Sequence, residues 1–196
     1  MNQTLSILIC TIPERSESLA RLIAQLDQQC DGKPVEVLTD NRPRAGTTGG
    51  VSVGTKRQDL LQRATGKYVC YIDDDDTVSP DYITTILDAC GHDPDCIGFK
   101  LMCHFKGGPV TAAHSIRYKW GENVDGYRYV RSPHHLTPVK REIALQVGFK
   151  DKRHGEDHDY SLGLVGKLKS EVFIDRHLYN YLYVNQPAHI KYGIPK

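Results

Sequence analysis

Four consecutive aspartates, Asp73-Asp74-Asp75-Asp76, follow directly on the apolar run Lys67–Ile72. Neighbouring carboxylates repel, so a fold that gathers four of them must supply something that offsets the cost. A solvated turn ahead of the helix start at Ser79-Pro80 is the plain solution. Here, however, the run caps a strand that reads as buried, which places the acidic residues at the end of a sheet. Carboxylates at such a rim suit a hard cation, Mg²⁺ or Mn²⁺, that keeps coordination positions open for phosphate oxygens. A calcium loop of the EF-hand type is the rival, and it lacks the required Gly and the later Glu at the right offsets.

The first hundred residues alternate between strand and helix patterns. Thr4–Cys10 is a continuous apolar strand. Ser16-Glu-Ser-Leu19 opens a helix carrying Leu19, Leu22, Ile23 and Leu26 at helical spacing. Pro34–Thr39 is a Val-rich strand, and Thr55–Ala64 a second helix with Gly66 as its closing residue. Lys67–Ile72 is the third strand, Ser79–Ala89 the third helix and Asp95–Cys103 the fourth strand. This order predicts an α/β fold, one domain built on a mostly parallel central sheet with helices on both faces. Ligands of such sheets bind beyond the carboxyl ends of the strands. Those ends are unusually polar here: Thr11-Ile-Pro-Glu-Arg15, Asp40-Asn-Arg-Pro-Arg44 and Asp73–Asp76.

The second half is less regular. Arg117–Arg131, rich in Tyr, Gly and basic residues, reads as strands or a mobile loop. Pro138–Val147 reads as a short helix ended by Gly148, Glu156–Lys169 as a helix and Glu171–Ile174 as a strand. The 196 residues suit a single domain, and 39% hydrophobic with 25% charged residues is ordinary globular composition. No run approaches the length a membrane helix needs, and Leu5–Cys10 lacks the basic flank of a signal peptide, so the expected location is cytoplasmic. The six cysteines form no C-x-x-C pair and fit no common zinc spacing, and they read as buried free thiols.

The net charge of +1 hides an uneven distribution. Residues 1–98 carry 9 basic and 15 acidic side chains, whereas residues 99–153 carry 11 basic and 4 acidic ones. An acidic first half and a basic middle imply two surfaces with different tasks. A second acidic element, His154-Gly-Glu-Asp-His-Asp159, opens the last predicted helix. Capping and the helix dipole explain one or two carboxylates there, but not the whole cluster with its two histidines.

Taken together, Ser6–Arg15, Ser52–Asp76, Thr137-Pro-Val-Lys-Arg-Glu142, Gly148-Phe149 and Gly155-Glu-Asp157 resemble glycosyltransferase family 2, a GT-A fold, in the right order along nearly the whole chain. The resemblance implies a nucleotide-sugar half, residues 1–98, and an acceptor and catalytic-base half, residues 99–196. It implies that Thr11, Pro13, Glu14, Arg15 and Asp40 hold the nucleotide. Lys56-Arg57-Gln58 matches a basic-Arg-Asn element whose Asn is replaced by Gln58, which leaves Arg57 as the donor-binding member. Asp73-x-Asp75 matches the DxD motif, with Asp73 toward ribose or a metal-bound water and Asp75 on Mn²⁺ or Mg²⁺. The register Asp74-x-Asp76 stays open as the alternative, with Asp75 preferred, and Asp74 is counted with the donor-binding residues. Asp157 matches the catalytic base, with Glu156 as runner-up or as a group orienting acceptor hydroxyls. Lys140 and Arg141 would face the diphosphate or acceptor, unless they form a solvated helix face. His177 and His189 are candidates for an extra metal ligand, since related enzymes often recruit a late His, although nine histidines in the chain make chance placement easy.

The implied reaction is inverting transfer from a nucleoside-diphosphate sugar, UDP by frequency in the family, to a hydroxyl acceptor. The resemblance also implies that the second half reads the acceptor, and there the alternative to a binding surface is a solvated basic face over aromatic core residues. Arg117, Lys119, Arg128 and Arg131 interleave with Tyr118, Trp120, Tyr127 and Tyr129, a pattern suited to stacking on rings and attracting phosphates. That points to an anionic acceptor: a phosphorylated carrier, an acidic glycan or a hydroxylated nucleobase in DNA. The short chain without a membrane helix suits a single-transfer enzyme rather than a polymer synthase. Two other classes stay open, a metal-dependent nucleotidyltransferase and a non-catalytic nucleotide-sugar-binding module. The first has no evident use for Gly155-Glu-Asp157, and the second no need to keep both Asp75 and Asp157.

Overall fold

The computed structural model describes residues 3–183. The chain runs through β1 (Leu5–Cys10), α1 (Ser16–Cys30), β2 (Val35–Asp40), α2 (Val53–Arg63), β3 (Tyr68–Tyr71), β4 (Thr77–Val78), α3 (Tyr82–Cys90) and β5 (Cys96–Phe105). It continues through β6 (Gly108–His114), β7 (Tyr129–Arg131), β8 (Val139–Lys140), α4 (Arg141–Val147), α5 (Glu156–Leu164) and β9 (Glu171–Tyr181). The sheet order is β2-β1-β3-β8-β5-β6-β7, and β9 pairs with both β5 and β4. β1 lies parallel to β2 and to β3, as the strand–helix alternation predicts. β8 then inserts antiparallel to both β3 and β5, which keeps β3 and β5 pointing the same way.

Side-chain alternation decides which helix covers which face. Leu5, Ile7 and Ile9 of β1, with Tyr68 and Cys70 of β3, pack against Leu22 and Leu26 of α1 and Ile83 and Ile86 of α3. Leu8 of β1, with Val69 and Tyr71 of β3, packs on the other face against Leu60 and Leu61 of α2, Ala144 of α4 and Tyr160 and Leu164 of α5. Both faces of the parallel strands are thus covered, which is why these strands read as unbroken apolar runs. The six cysteines are free, and Cys70, Cys90, Cys96 and Cys103 are buried.

Several boundaries differ from the sequence reading for local reasons. α2 begins two residues early because the Ser52 hydroxyl accepts the Thr55 N–H at 3.0 Å and caps the helix. Gly66 does not close that helix. It is required because a Cβ there would stand 2.6 Å from the Ser6 backbone nitrogen, where β1 passes. α5 stops at Leu164 rather than Lys169, and the Asp95 carboxylate accepts the N–H groups of Lys169 and Ser170 that lead into β9. β9 is far longer than Glu171–Ile174 because Leu178 and Tyr179 continue into the core beside β5. In the Tyr-rich segment only Tyr129–Arg131 forms a strand; β6, beside β5, went unread in the sequence.

Candidate functional site

A cavity of about 680 Å³ opens beyond the carboxyl ends of β1 and β3. Its wall takes Thr11 and Arg15 from beyond β1, Lys56 and Arg57 from α2, Asp73 and Asp74 from beyond β3, and Glu156 and Asp157 from the start of α5. α5 is aimed at the cavity by Gly155, whose φ of +77° no residue with a Cβ adopts cheaply. The segment leading to it is fastened to α2: Gly54 N–H donates to the Lys152 carbonyl, and the Asp151 carboxylate accepts the Ser52 and Thr55 hydroxyls.

The four aspartates are dealt out in different directions, which is how the fold accommodates their repulsion. Asp76 is buried and accepts from Tyr179 Oη and the Leu182 N–H, both at 2.8 Å, and burial together with Asp73 pushes its carboxyl well up. Asp74 is buried too, accepting from Thr11 Oγ1 at 2.6 Å and from Arg15 at 2.7 Å. Asp73 and Asp75 retain partly open carboxylates, 33% and 19% exposed. Burial alone would raise Asp73, but His135, Arg57 and Arg15 outweigh it and hold the carboxyl well below the usual range. Asp75 meets only Arg15, at 3.2 Å, among the described ion pairs, and burial with Asp73 pushes its carboxyl up to about 6.

Arg57 is the structural centre of the site. One terminal nitrogen lies 2.6 Å from Glu156 and the other 3.3 Å from Asp73, while the guanidinium packs over Tyr71 and Phe149. It is 5% exposed and pairs with the protein's own carboxylates while lining the cavity. Glu156 is correspondingly enclosed, and its burial, opposed by Arg57, raises its carboxyl. Asp157, the next residue, is half-buried on the cavity wall; among the described residues its carboxylate accepts the His158 N–H and makes no ion pair. Of the two acidic residues it is the one open to a ligand.

Other expected residues lie elsewhere. Pro13 and Glu14 are exposed in a 3₁₀ turn, outside the cavity lining. Asp40 is buried under Arg42, whose hydrogen bonds outweigh burial and lower its carboxyl, and it faces a separate shallow concavity with Asp59. Lys140 and Arg141 sit at the opposite end of the sheet, because β8 runs antiparallel: Lys140 pairs with Asp93 and Asp95, and the Arg141 N–H donates to Lys67. His177 faces Thr111 Oγ1 at 3.0 Å rather than the aspartates, because β9 places it opposite Lys100. His189 lies outside the described residues.

Sequence reasoning passed over Arg44, His135, Arg153 and Tyr181 as site residues, and all four line the cavity. Arg44 ends the polar run after β2, and Arg153 directly precedes His154-Gly155, so both carried a positional signal. His135 carried none, because its segment is brought beside β3 by non-local pairing: the Tyr71 N–H donates to the His135 carbonyl, and β8 pairs with β3 four residues on. Behind it stand two further buried histidines. His134 Nδ1 accepts the Leu136 N–H, so its Nε2 bears the proton and donates to His114 Nε2 at 3.2 Å, and burial holds both rings neutral. Trp120 stands beside Arg131 and His158, with Arg131 also on the cavity wall.

No three His, Cys, Asp or Glu side chains among the described residues converge as a closed metal cage. The donor chemistry nonetheless fits a hard cation. Mg²⁺-type sites use one or two carboxylates plus substrate phosphates; Asp73 is a partly open carboxylate on the cavity wall, and Asp75, also partly open, follows two residues on, outside the lining itself.

The family model for glycosyl transferase family 2 matches residues 48–147. No curated protein matches the sequence. Among solved structures, S. aureus TarS 1–349 superposes with a TM-score of 0.66 at 13% identity, covering 92% of this chain and 60% of that one. The same protein in complex with UDP-GlcNAc gives 0.68 at 10% identity, covering 98% and 62%. Its complex with UDP gives 0.65 at 12% identity, covering 92% and 60%. At such identities the likeness is one of fold, and the chain spans about 60% of the length of these neighbours.

Proposed function

The chain belongs to glycosyl transferase family 2, and from that membership we propose that it transfers a sugar from a UDP-sugar to an acceptor hydroxyl with inversion at the anomeric carbon. The observation that carries this reading is the Arg57 bridge. By holding Asp73 and Glu156 on one guanidinium, it brings the free carboxylate of Asp157 to the same cavity as the acidic run. The UDP and UDP-GlcNAc complexes of TarS support the choice of donor.

Asp157 takes the proton of the acceptor hydroxyl as its oxygen bonds to the anomeric carbon. The bond from that carbon to the diphosphate oxygen breaks, and UDP leaves with the electron pair. Attack from the face opposite the leaving group inverts the centre, through a transition state of oxocarbenium character. Thr11 and Arg15 hold Asp74 in place, and Arg44 and Arg153 offer positive charge to the diphosphate. Mn²⁺ or Mg²⁺ held by Asp75 and Asp73 would supply further charge stabilisation of the leaving group when bound. Among the described residues, the first half, up to residue 98, supplies most of the donor side of this cavity and the second half the acceptor side, with Arg153 reaching across to the diphosphate. A nucleotidyltransferase would leave Asp157 without a task.

The test is UDP release from UDP-GlcNAc, measured with UDP binding, in Asp157→Asn. The expected result is a fall in kcat of roughly 10²–10⁴-fold with UDP affinity retained. Near-normal turnover removes Asp157 as the base.

A further inference from the structure

Three arginines on the cavity wall, Arg44, Arg131 and Arg153, form no ion pair with a carboxylate among the described residues. Two of them cluster: a Cβ at Gly46 would lie 3.2 Å from the Arg153 guanidinium, and Gly46 is two residues from Arg44. Arg131 stands apart on β7. Its guanidinium carbon lies 4.3 Å from the Trp120 ring centre and 4.7 Å from that of Tyr129. Trp120 in turn meets His158 edge-on at 4.8 Å, and His158 adjoins Asp157. The third unpaired cation is therefore linked to the Asp157 side of the cavity.

A guanidinium against two aromatic faces has its rotamer restricted while its N–H edge stays available. That is the preorganised fork which binds phosphate or carboxylate through paired hydrogen bonds. Aromatic packing alone does not require a cation on the wall of a ligand cavity, nor does it supply a counter-charge. We infer that Arg131, held between Trp120 and Tyr129, is a specificity-determining residue that receives an oxyanion carried by the acceptor, so that the acceptor's hydroxyl is presented to Asp157. This rests on the transfer reading, since it assigns the acceptor side of that same site.

Trp120 is the only tryptophan in the chain, so intrinsic fluorescence reports on this contact directly. Calorimetric UDP binding with Mn²⁺, done first, tests the transfer reading by itself. Glycerol 3-phosphate, glycerate and glycerol are then titrated against Trp120 fluorescence, with and without UDP, in the wild type, Arg131→Gln and Arg131→Lys. The expected result is a saturable response to an anion and none to glycerol. It should weaken roughly tenfold or more in Arg131→Gln and partly recover in Arg131→Lys, with UDP affinity unchanged in both. A response to glycerol 3-phosphate alone assigns a phosphate-bearing acceptor, and a response to both anions assigns any oxyanion. No anion response in the wild type would leave Arg131 as packing only. An equal response to glycerol, or loss of UDP affinity in Arg131→Gln, would likewise overturn the assignment.

Discussion

Arg57 and Glu156 are 99 positions apart in the chain and 2.6 Å apart at the cavity wall, both almost wholly enclosed. Removing one partner of such a pair strands the other charge in a poorly solvated place. Glu156→Leu is therefore expected to destabilise the fold by about 3–5 kcal/mol, read from urea denaturation. Arg57→Met should cost as much and also free Asp73, lowering turnover even where the protein stays folded. Loss of activity in Glu156→Gln without loss of stability would instead give Glu156 a chemical role.

Asp75 and Asp76 are expected to separate cleanly by function. Asp75→Asn should remove the gain in UDP affinity that Mn²⁺ produces, while affinity in EDTA stays unchanged; calorimetry in the two buffers checks this. A variant that keeps the full Mn²⁺ effect would shift the metal to the Asp74-x-Asp76 register.

Asp76 answers instead to stability. Tyr179→Phe deletes the hydroxyl that donates to Asp76 and accepts the Asp73 N–H, leaving two buried polar groups short of a partner. The expected loss is about 1–3 kcal/mol for the stranded groups, measured by urea denaturation.

Glu36 makes a pH prediction away from the cavity. Burial would raise its carboxyl, but the Ser6 hydroxyl, the Thr65 N–H and hydroxyl and the Gly66 N–H outweigh burial and lower it. A carboxyl lowered in the folded state stabilises above its unfolded value, close to 4.5, and that contribution disappears as pH falls through the folded value. Glu36→Gln should therefore be less stable than the wild type at neutral pH and lose that difference in acid. Thermal melts across pH check it, and a pH-independent gap would refute it.

The N-terminal half was legible because its signals are local. The unbroken apolar runs Leu5–Cys10 and Tyr68–Tyr71, helical spacing in α1 and the polar strand ends all depend on neighbours a few residues away. The same signals placed a site at the strand ends, where Thr11, Arg15, Asp73 and Asp74 line the cavity, whereas Asp157 was singled out only through the family resemblance. Lys140 was misplaced for the opposite reason: the direction in which β8 enters the sheet is decided by its pairing with β3 and β5, not by its own two residues. His135 reaches the cavity because the Tyr71 N–H binds its carbonyl and the β3–β8 pairing holds the segment that follows.

The opening aspartates show the same division. Their sequence alone determined that an acidic cluster would stand at a sheet rim. Which of the four remain open to a ligand was decided only by tertiary structure, because Tyr179 and Leu182 claim Asp76 while Thr11 and Arg15 claim Asp74. Composition supplies the carboxyl groups, but their charge and their availability depend on burial and on partners that arrive from distant parts of the chain.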